Sequence, residues 1–160
     1  MIKKKILFVT TRSPFSSIFS GDRQRANAVI NNLSKTHKID VLYSDVLSNE
    51  KIRNKNIKRI FFERNLIEKI KKIFICLFSL KPLQLGYFYS DKVNNFLKEN
   101  HKNYDAIVFH LIRAAQYLPS DFKGTKILEM TDIVSKRYTQ IINSFSIFNP
   151  LMYLYLLEES

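Results

Sequence analysis

Residues 20–25, with the sequence SGDRQR, combine the groups from which proteins build anion sites. Gly21 permits close backbone approach, and the first amides of a helix that starts there have no intrahelical partner. Arg23 or Arg25 adds a guanidinium that can bind phosphate, with Asp22 in the first helical turn. These groups suit a diphosphate. A capped helix with solvated arginines is the alternative that the local sequence leaves open.

Two further stretches place polar side chains immediately after apolar runs. His110 ends the run AIVFH and is followed by Arg113, while Asp132 comes after KILEM. A histidine at a strand's carboxyl end can hydrogen-bond a ligand hydroxyl, and it can equally be a buried residue satisfied within the protein. Asp132 can serve a ligand or can cap the next helix.

The apolar runs alternate with helical patterns along the chain. Five or six strands are predicted, at residues 6–10, from 39 through IDVLYS, 57–62, 106–110 and 126–130. Short continuous apolar runs are typical of strands buried in a parallel sheet. Helices are predicted from Ser20 as cap, at about 66–78, and from Ser90 to about 100, with Pro82 and Gly86 as a break. The pattern predicts a Rossmann-like, doubly wound α/β fold, which binds ligands outside the carboxyl ends of its strands.

The composition of the 160-residue chain excludes several classes of protein. Cys76 is the sole cysteine, and with three histidines there is no zinc-binding spacing, so no metal site is predicted. Three widely separated glycines exclude both GxGxxG and the P-loop, and no cofactor is predicted. The longest apolar stretch, residues 73–80, is too short to cross a bilayer, and the N-terminus lacks the features of a secretory signal. We expect a cytoplasmic protein.

Positive charge is concentrated in residues 51–81. The whole chain carries 26 Lys and Arg against 14 Asp and Glu, and this segment holds ten basic residues and two glutamates. Within it, Lys69, Lys71 and Lys72 lie beside an apolar helical face that includes Phe74, as in helices that dock on anionic membranes. An ordinary helix that packs its apolar face on the sheet is the alternative. Nucleic acid is disfavoured because no recognition motif accompanies the charge.

Several of these stretches together resemble the N-terminal half of family 4 glycosyltransferases of the GT-B architecture, especially bacterial sugar transferases of polysaccharide biosynthesis. The resemblance lies in KILFVTTRSPF, SGDRQRANAVINNLSKTHKIDVLY, KPLQLGYFYSDKVNNFL, YDAIVFHLIRAAQYLP and KILEMTDIVSKRYTQ, which cover most of the chain. The SGDRxR and PLxLGYFYS pieces are the more specific. One departure is Asp22, since the usual family loop has a second glycine there.

The resemblance implies a retaining enzyme with its active site between two Rossmann-like halves. Residues 1–145 would form the acceptor-side domain, and 146–160 would begin a helix leading to a second domain that the chain, which looks truncated, does not include. It implies a nucleotide-sugar donor and a surface-glycan or lipid-linked acceptor. The basic segment adds the expectation of a peripheral position on the inner face of the cell membrane. The implied catalytic residues are His110 and Asp132, and the implied substrate-binding residues are Gly21, Asp22, Arg25 and Arg113. A non-catalytic basic module that binds a membrane or a protein partner is the alternative function.

Overall fold

The computed structural model describes residues 3–16, 20–45, 54–63, 65–79 and 81–130, and these form one five-stranded, all-parallel sheet flanked by helices. The strands are β1 (Lys5–Val9), β2 (Lys38–Asp45), β3 (Ile57–Glu63), β4 (Ala106–His110) and β5 (Thr125–Glu129). Their order across the sheet is β3-β2-β1-β4-β5. The predicted Rossmann-like α/β class is therefore confirmed. The strand order reverses direction between β1 and β4, which is where such folds open a ligand crevice.

The described helices lie between β1 and β2, between β3 and β4, and between β4 and β5. They are α1 (Gly21–Ser34), α2 (Leu66–Phe78), α3 (Leu83–Phe88), α4 (Asp91–Asn100) and α5 (Ile112–Ala115), with a 3₁₀ turn at His101–Asn103. Ser20 has the extended backbone of an N-cap, and the first α1 hydrogen bond runs from the Gln24 N–H to its carbonyl, at 3.1 Å. Among the described helices, none is long and apolar enough to cross a membrane.

Two apolar cores lie on opposite faces of the sheet because successive strand side chains alternate in direction. On one face, Leu7, Ile107 and Phe109 pack with Val93 and Leu97 of α4. On the other face, the strands pack against α1, through Phe8, Val41, Val108, Ala26 and Ile30. The side chains that point from β1 are almost fully excluded from solvent on both faces. This burial on both sides explains why β1 and β4 are continuous apolar runs in the sequence.

The predicted break is confirmed at Pro82, which lies between α2 and α3, but it is wrong at Gly86, which lies within α3. Pro82 has the N-cap position, and Gly86 lies inside the helix. A Cβ on Gly86 would lie 2.6 Å from the Lys72 carbonyl oxygen and 2.9 Å from the Ile73 nitrogen. The glycine therefore allows the backbones of α2 and α3 to approach closely, and no turn is needed at this position.

Candidate functional site

Polar side chains converge at the carboxyl edge of β4 and β5, against the first turn of α1. The strand register pairs His110 with Glu129, so the last side chains of β4 and β5 are neighbours. The N-terminus of α1 reaches the same edge after the loop that follows β1. Chain topology therefore brings residues from three distant segments of the sequence to one place.

His110 is the buried centre of this cluster, with a side chain only 2% exposed. Its Nδ1 lies within hydrogen-bond distance of the Glu129 carboxylate, and its Nε2 lies 3.1 Å from the Asp22 carbonyl oxygen. The Asp22 carbonyl can only accept, so the Nε2 N–H donates to it. The contacts of the His110 ring tie β4 to β5 and to the first turn of α1.

Arginines form ion pairs with both carboxylates of the cluster. The Arg25 Nε donates to Glu129, which thus bridges Arg25 and His110. The Arg113 Nη2 donates to the Asp22 carboxylate at 3.2 Å, and the Arg12 Nη1 lies 3.5 Å from the same carboxylate. Burial alone would raise the pKa of Asp22, but the Ser20 hydroxyl, the Arg12 charge, the Arg23 amide and the Arg113 charge together lower it.

Two neighbouring features, an aromatic ring and a strained residue, help to position the cluster. The Phe88 ring at the end of α3 lies 4.2 Å from the Arg113 guanidinium carbon and 5.2 Å from that of Arg12, an arrangement that favours cations over its face. Leu111, directly after His110, has φ 68° and ψ 154°, a conformation that non-glycine residues rarely adopt. Its N–H donates to the Glu129 carbonyl at 2.9 Å. The strand ends are thus held together at a strained residue.

A separate ion pair lies next to the cluster, at the end of β2. The Arg23 Nη2 is 3.3 Å from the Asp45 carboxylate, and both side chains are largely buried. Asp45 also accepts the Ser13 N–H at 2.8 Å, which fixes the loop after β1. This pair holds α1 to the end of β2, and it keeps the first turn of α1 beside His110.

The arrangement favours an anionic ligand. Arg12, Arg25 and Arg113 carry three positive charges, whereas Asp22 and Glu129 carry two negative charges. The cluster therefore has an excess of one positive charge, next to a helix N-terminus that also attracts anions. Over the described ranges, no group of three or more His, Cys, Asp or Glu side chains could hold a metal ion.

The structure brings five of the six predicted site residues together: Gly21, Asp22, Arg25, His110 and Arg113. Asp132 lies outside the described residues. Sequence reasoning missed two members of the cluster, Glu129 and Arg12. The available signal for Glu129 was an acidic residue at the carboxyl end of an apolar strand, and for Arg12 it was a basic residue in the loop directly after the first strand.

The four predicted membrane-docking residues lie on different sides of α2. Phe74 and Lys71 are exposed. Lys69 and Lys72 instead flank the contact with α3, where the Lys69 Nζ lies 3.4 Å from the centre of the Tyr87 ring and the Lys72 Nζ lies 3.2 Å from the Asp91 carboxylate. The polar flank of α2 therefore faces the protein.

The apolar side of α2 faces away from the sheet. We call it the outer face of α2, and it consists of Leu66, Ile67, Ile70, Phe74, Leu77 and Phe78, each 53–84% exposed. At 3.6 residues per turn these side chains fall within an arc of about 120°. The alternative in which this face packs on the sheet is wrong.

Comparisons of the chain with protein-family models, curated proteins and solved structures find no match.

Proposed function

We propose that this chain is the acceptor-side half of a retaining glycosyltransferase of the GT-B architecture. One observation carries the proposal. At the carboxyl edge of the sheet, Arg12, Arg25 and Arg113 lie around the first turn of α1 and carry more charge than the carboxylates they contact. A nucleotide-sugar donor leaves a diphosphate, whose developing charge is stabilised by guanidinium groups and helix amides. The acceptor would be a surface glycan or a lipid-linked glycan.

Arg25 is the residue best placed to meet the leaving diphosphate. Its side chain is half exposed, whereas its partner Glu129 is 13% exposed. An incoming phosphate can therefore replace Glu129 as the acceptor for Arg25 without entering the core. The Gly21 and Asp22 amides would lie beside it, since the Arg23 N–H already donates to the Asp22 carboxylate and the Gln24 N–H to the Ser20 carbonyl. A Cβ at Gly21 would meet nothing within 4 Å. A phosphate therefore has room at this position.

His110 has a different place in the proposed reaction. Both ring nitrogens already have acceptors, Glu129 and the Asp22 carbonyl. A direct contact with a sugar hydroxyl requires one of these bonds to be exchanged. As it stands, His110 is a positioning residue that holds the first turn of α1 against the strand ends.

The test is a titration of the chain with inorganic diphosphate, followed by amide NMR. We expect weak binding that shifts the signals of residues 21–24, because one wall of a cleft cannot exclude water from the ligand. Arg25→Ala should weaken binding about 10-fold or more, since a hydrogen bond to a charged group contributes about 1.5–3 kcal/mol. Arg59→Ala, at an exposed arginine of β3, is the matched control and should bind as the unchanged chain does.

Two results would refute the proposal. One is diphosphate binding that Arg25→Ala and Arg59→Ala weaken equally, because nonspecific charge would then explain it. The other is binding of intact nucleotide sugars tighter than about 10 μM, or about −7 kcal/mol, by this chain alone. In an enzyme that has both halves, Arg25→Ala should lower turnover about 10-fold to 1,000-fold.

The second candidate function is a non-catalytic basic α/β module. The observation that favours it is the outer face of α2, an exposed apolar surface that lies outside the arginine cluster. The diphosphate titration separates the two candidates, since a purely binding module needs no anion site at the sheet edge. Transfer of sugar by the two-domain protein would exclude the non-catalytic module.

A further inference from the structure

The orientation of α2 is opposite to that of an ordinary amphipathic helix. A surface helix normally packs its apolar stripe on the core and exposes its polar side. Here Glu68, Lys69 and Lys72 face α3 and the start of α4, where the Asp91 N–H donates to the Glu68 carboxylate and the Lys72 Nζ lies 4.1 Å from the centre of the Tyr89 ring. The large apolar side chains face outward.

Specific contacts hold α2 in this orientation. Asn65 caps the helix by accepting the N–H groups of Ile67 and Glu68, at 3.0 and 3.4 Å. Gly86 permits backbone contact between α3 and α2, and Cys76 is buried on that side. Rotation of the apolar side inward would break the contacts of Lys69 and Lys72 with the tyrosine rings. The outward position of the outer face is therefore built into the packing.

We propose that the outer face of α2 docks on an anionic phospholipid membrane. Six large apolar side chains on one helical face are more than isolated exposed residues, and a contiguous patch of this kind marks an interaction site. The surrounding charge identifies the partner. Lys71 projects beside Phe78 around the helix axis, and Lys81 lies at the C-terminal end, where its N–H donates to the Cys76 carbonyl at 2.9 Å.

Charge complementarity favours an anionic bilayer over a neutral one. Residues 51–81 hold ten basic residues and two acidic residues. A helix that lies in the interface buries its apolar face among acyl chains, while nearby Lys and Arg side chains are attracted to anionic headgroups. The 13 residues of α2 are too few to cross a bilayer and are suited to lying in its surface.

Docking in this way would place the arginine cluster beside the membrane. Helix α3 contacts α2 at Gly86. Two residues further along the same helix, the Phe88 ring lies against the guanidinium groups of Arg12 and Arg113. One six-residue helix therefore joins the docking surface to the anion cluster. The docking proposal itself does not depend on the proposed transferase activity, because α2 stands outside the cluster.

Vesicle co-sedimentation of the whole chain tests the proposal. The vesicles are phosphatidylcholine with and without phosphatidylglycerol. We expect strong binding only with the anionic lipid, and weaker binding as salt rises from 0.1 M to 1 M, because the screening length falls from about 10 Å to about 3 Å. Phe74→Ser combined with Phe78→Ser should weaken binding about 10-fold or more. Lys71→Glu should weaken it about 25-fold, at about fivefold per charge.

Matched controls lie on other elements. Leu118→Ser removes an exposed apolar side chain away from α2, and Lys123→Glu reverses an exposed charge beyond α5. Both should bind vesicles within about twofold of the unchanged chain, since neither position belongs to α2 or to its outer face. Equal losses in the controls and in the α2 variants would overturn the proposal.

Other occupants of the outer face give different results. Equal binding to neutral and anionic vesicles, or binding to neither, would overturn the proposal. A dimer that dissociates in the Phe74→Ser and Phe78→Ser variant, with no vesicle binding, would assign the face to a second copy of the chain. A loss of thermal stability in that variant, with no vesicle binding, would mean that the face packs within the protein itself, and it would overturn the proposal. Failure of the diphosphate titration would leave the docking result unaffected.

Discussion

Replacement of Gly86 by alanine tests the contact that fixes the position of α2. The added Cβ would lie 2.6 Å from the Lys72 carbonyl oxygen, 2.8 Å from its carbonyl carbon and 2.9 Å from the Ile73 nitrogen. All three are backbone atoms, so a change of side-chain rotamer cannot relieve the overlap. Ordinary contact begins at 3.4 Å, and the two helices must separate by the difference between 3.4 and 2.6 Å, which is about 0.8 Å.

Two opposing contributions determine how much Gly86→Ala changes the free energy of unfolding. Alanine is favoured over glycine inside a helix by about 1 kcal/mol. Overpacking costs typically about 1–3 kcal/mol, and rigid backbone on the other side places this case at the upper end. The net loss should be about 2 kcal/mol, which lowers the melting temperature of a chain of this size by about 4–8 °C.

Gly21→Ala is the control, because a Cβ at Gly21 would meet nothing within 4 Å and the position has no positive φ. It should be neutral or stabilising by up to about 1 kcal/mol. Urea unfolding gives both free energies, and hydrogen exchange reports α2 separately. In Gly86→Ala, amide hydrogen exchange should become faster in α2, while exchange in the sheet should change much less. A Gly86→Ala chain within about 0.5 kcal/mol of the unchanged chain would refute the packing argument.

Two further predictions concern pH. Because the pKa of Asp22 is lowered from 3.8, its contribution to stability is complete above pH 3.8 and is lost as pH falls through the lowered pKa. Urea unfolding should therefore lose part of its acid dependence in Asp22→Asn, and an unchanged acid limb would contradict the ion pairs with Arg12 and Arg113. Burial, together with the Asp40 carboxylate that accepts the Tyr104 hydroxyl at 2.8 Å, raises the pKa of Tyr104 above 10.0, so the stabilisation is present below pH 10 and is lost at higher pH. Tyr104→Phe should lower the free energy of unfolding by about 1.5–3 kcal/mol at pH 7 and remove this alkaline loss; a chain as stable as the original would exclude the bond.

Strands β1 and β4 were predictable from sequence because strands buried on both faces are continuous apolar runs. The predicted strand at residues 57–62 also matches β3, Ile57–Glu63, although β3 is an edge strand whose side chains are mostly exposed or half-buried. Helix α1 was predictable because Ala26 and Ile30 recur at the helical period. The edge at which the site residues meet also followed from the sequence, since parallel strands end at one edge.

Other features depend on distances that a sequence does not contain. Glu129 joins His110 only because β5 pairs with β4 in one register, and a shift of one residue would turn its side chain to the other face. Gly86 is indistinguishable in sequence from a helix break, since its role is set by the Lys72 backbone in another helix. Periodicity predicted that α2 has an apolar face, but periodicity cannot tell which way that face is turned.

The strain at Leu111 connects these observations. A non-glycine residue with φ 68° costs about 1–3 kcal/mol, and such strain persists only when the surrounding contacts hold it. Here the Leu111 N–H bond to the Glu129 carbonyl and the two bonds of the His110 ring provide those contacts. They also close the strand ends beneath the arginines, so the strained turn directs His110 toward the first turn of α1. The strained turn and the arginine cluster therefore share Glu129, and we expect a change in one of them to alter the other.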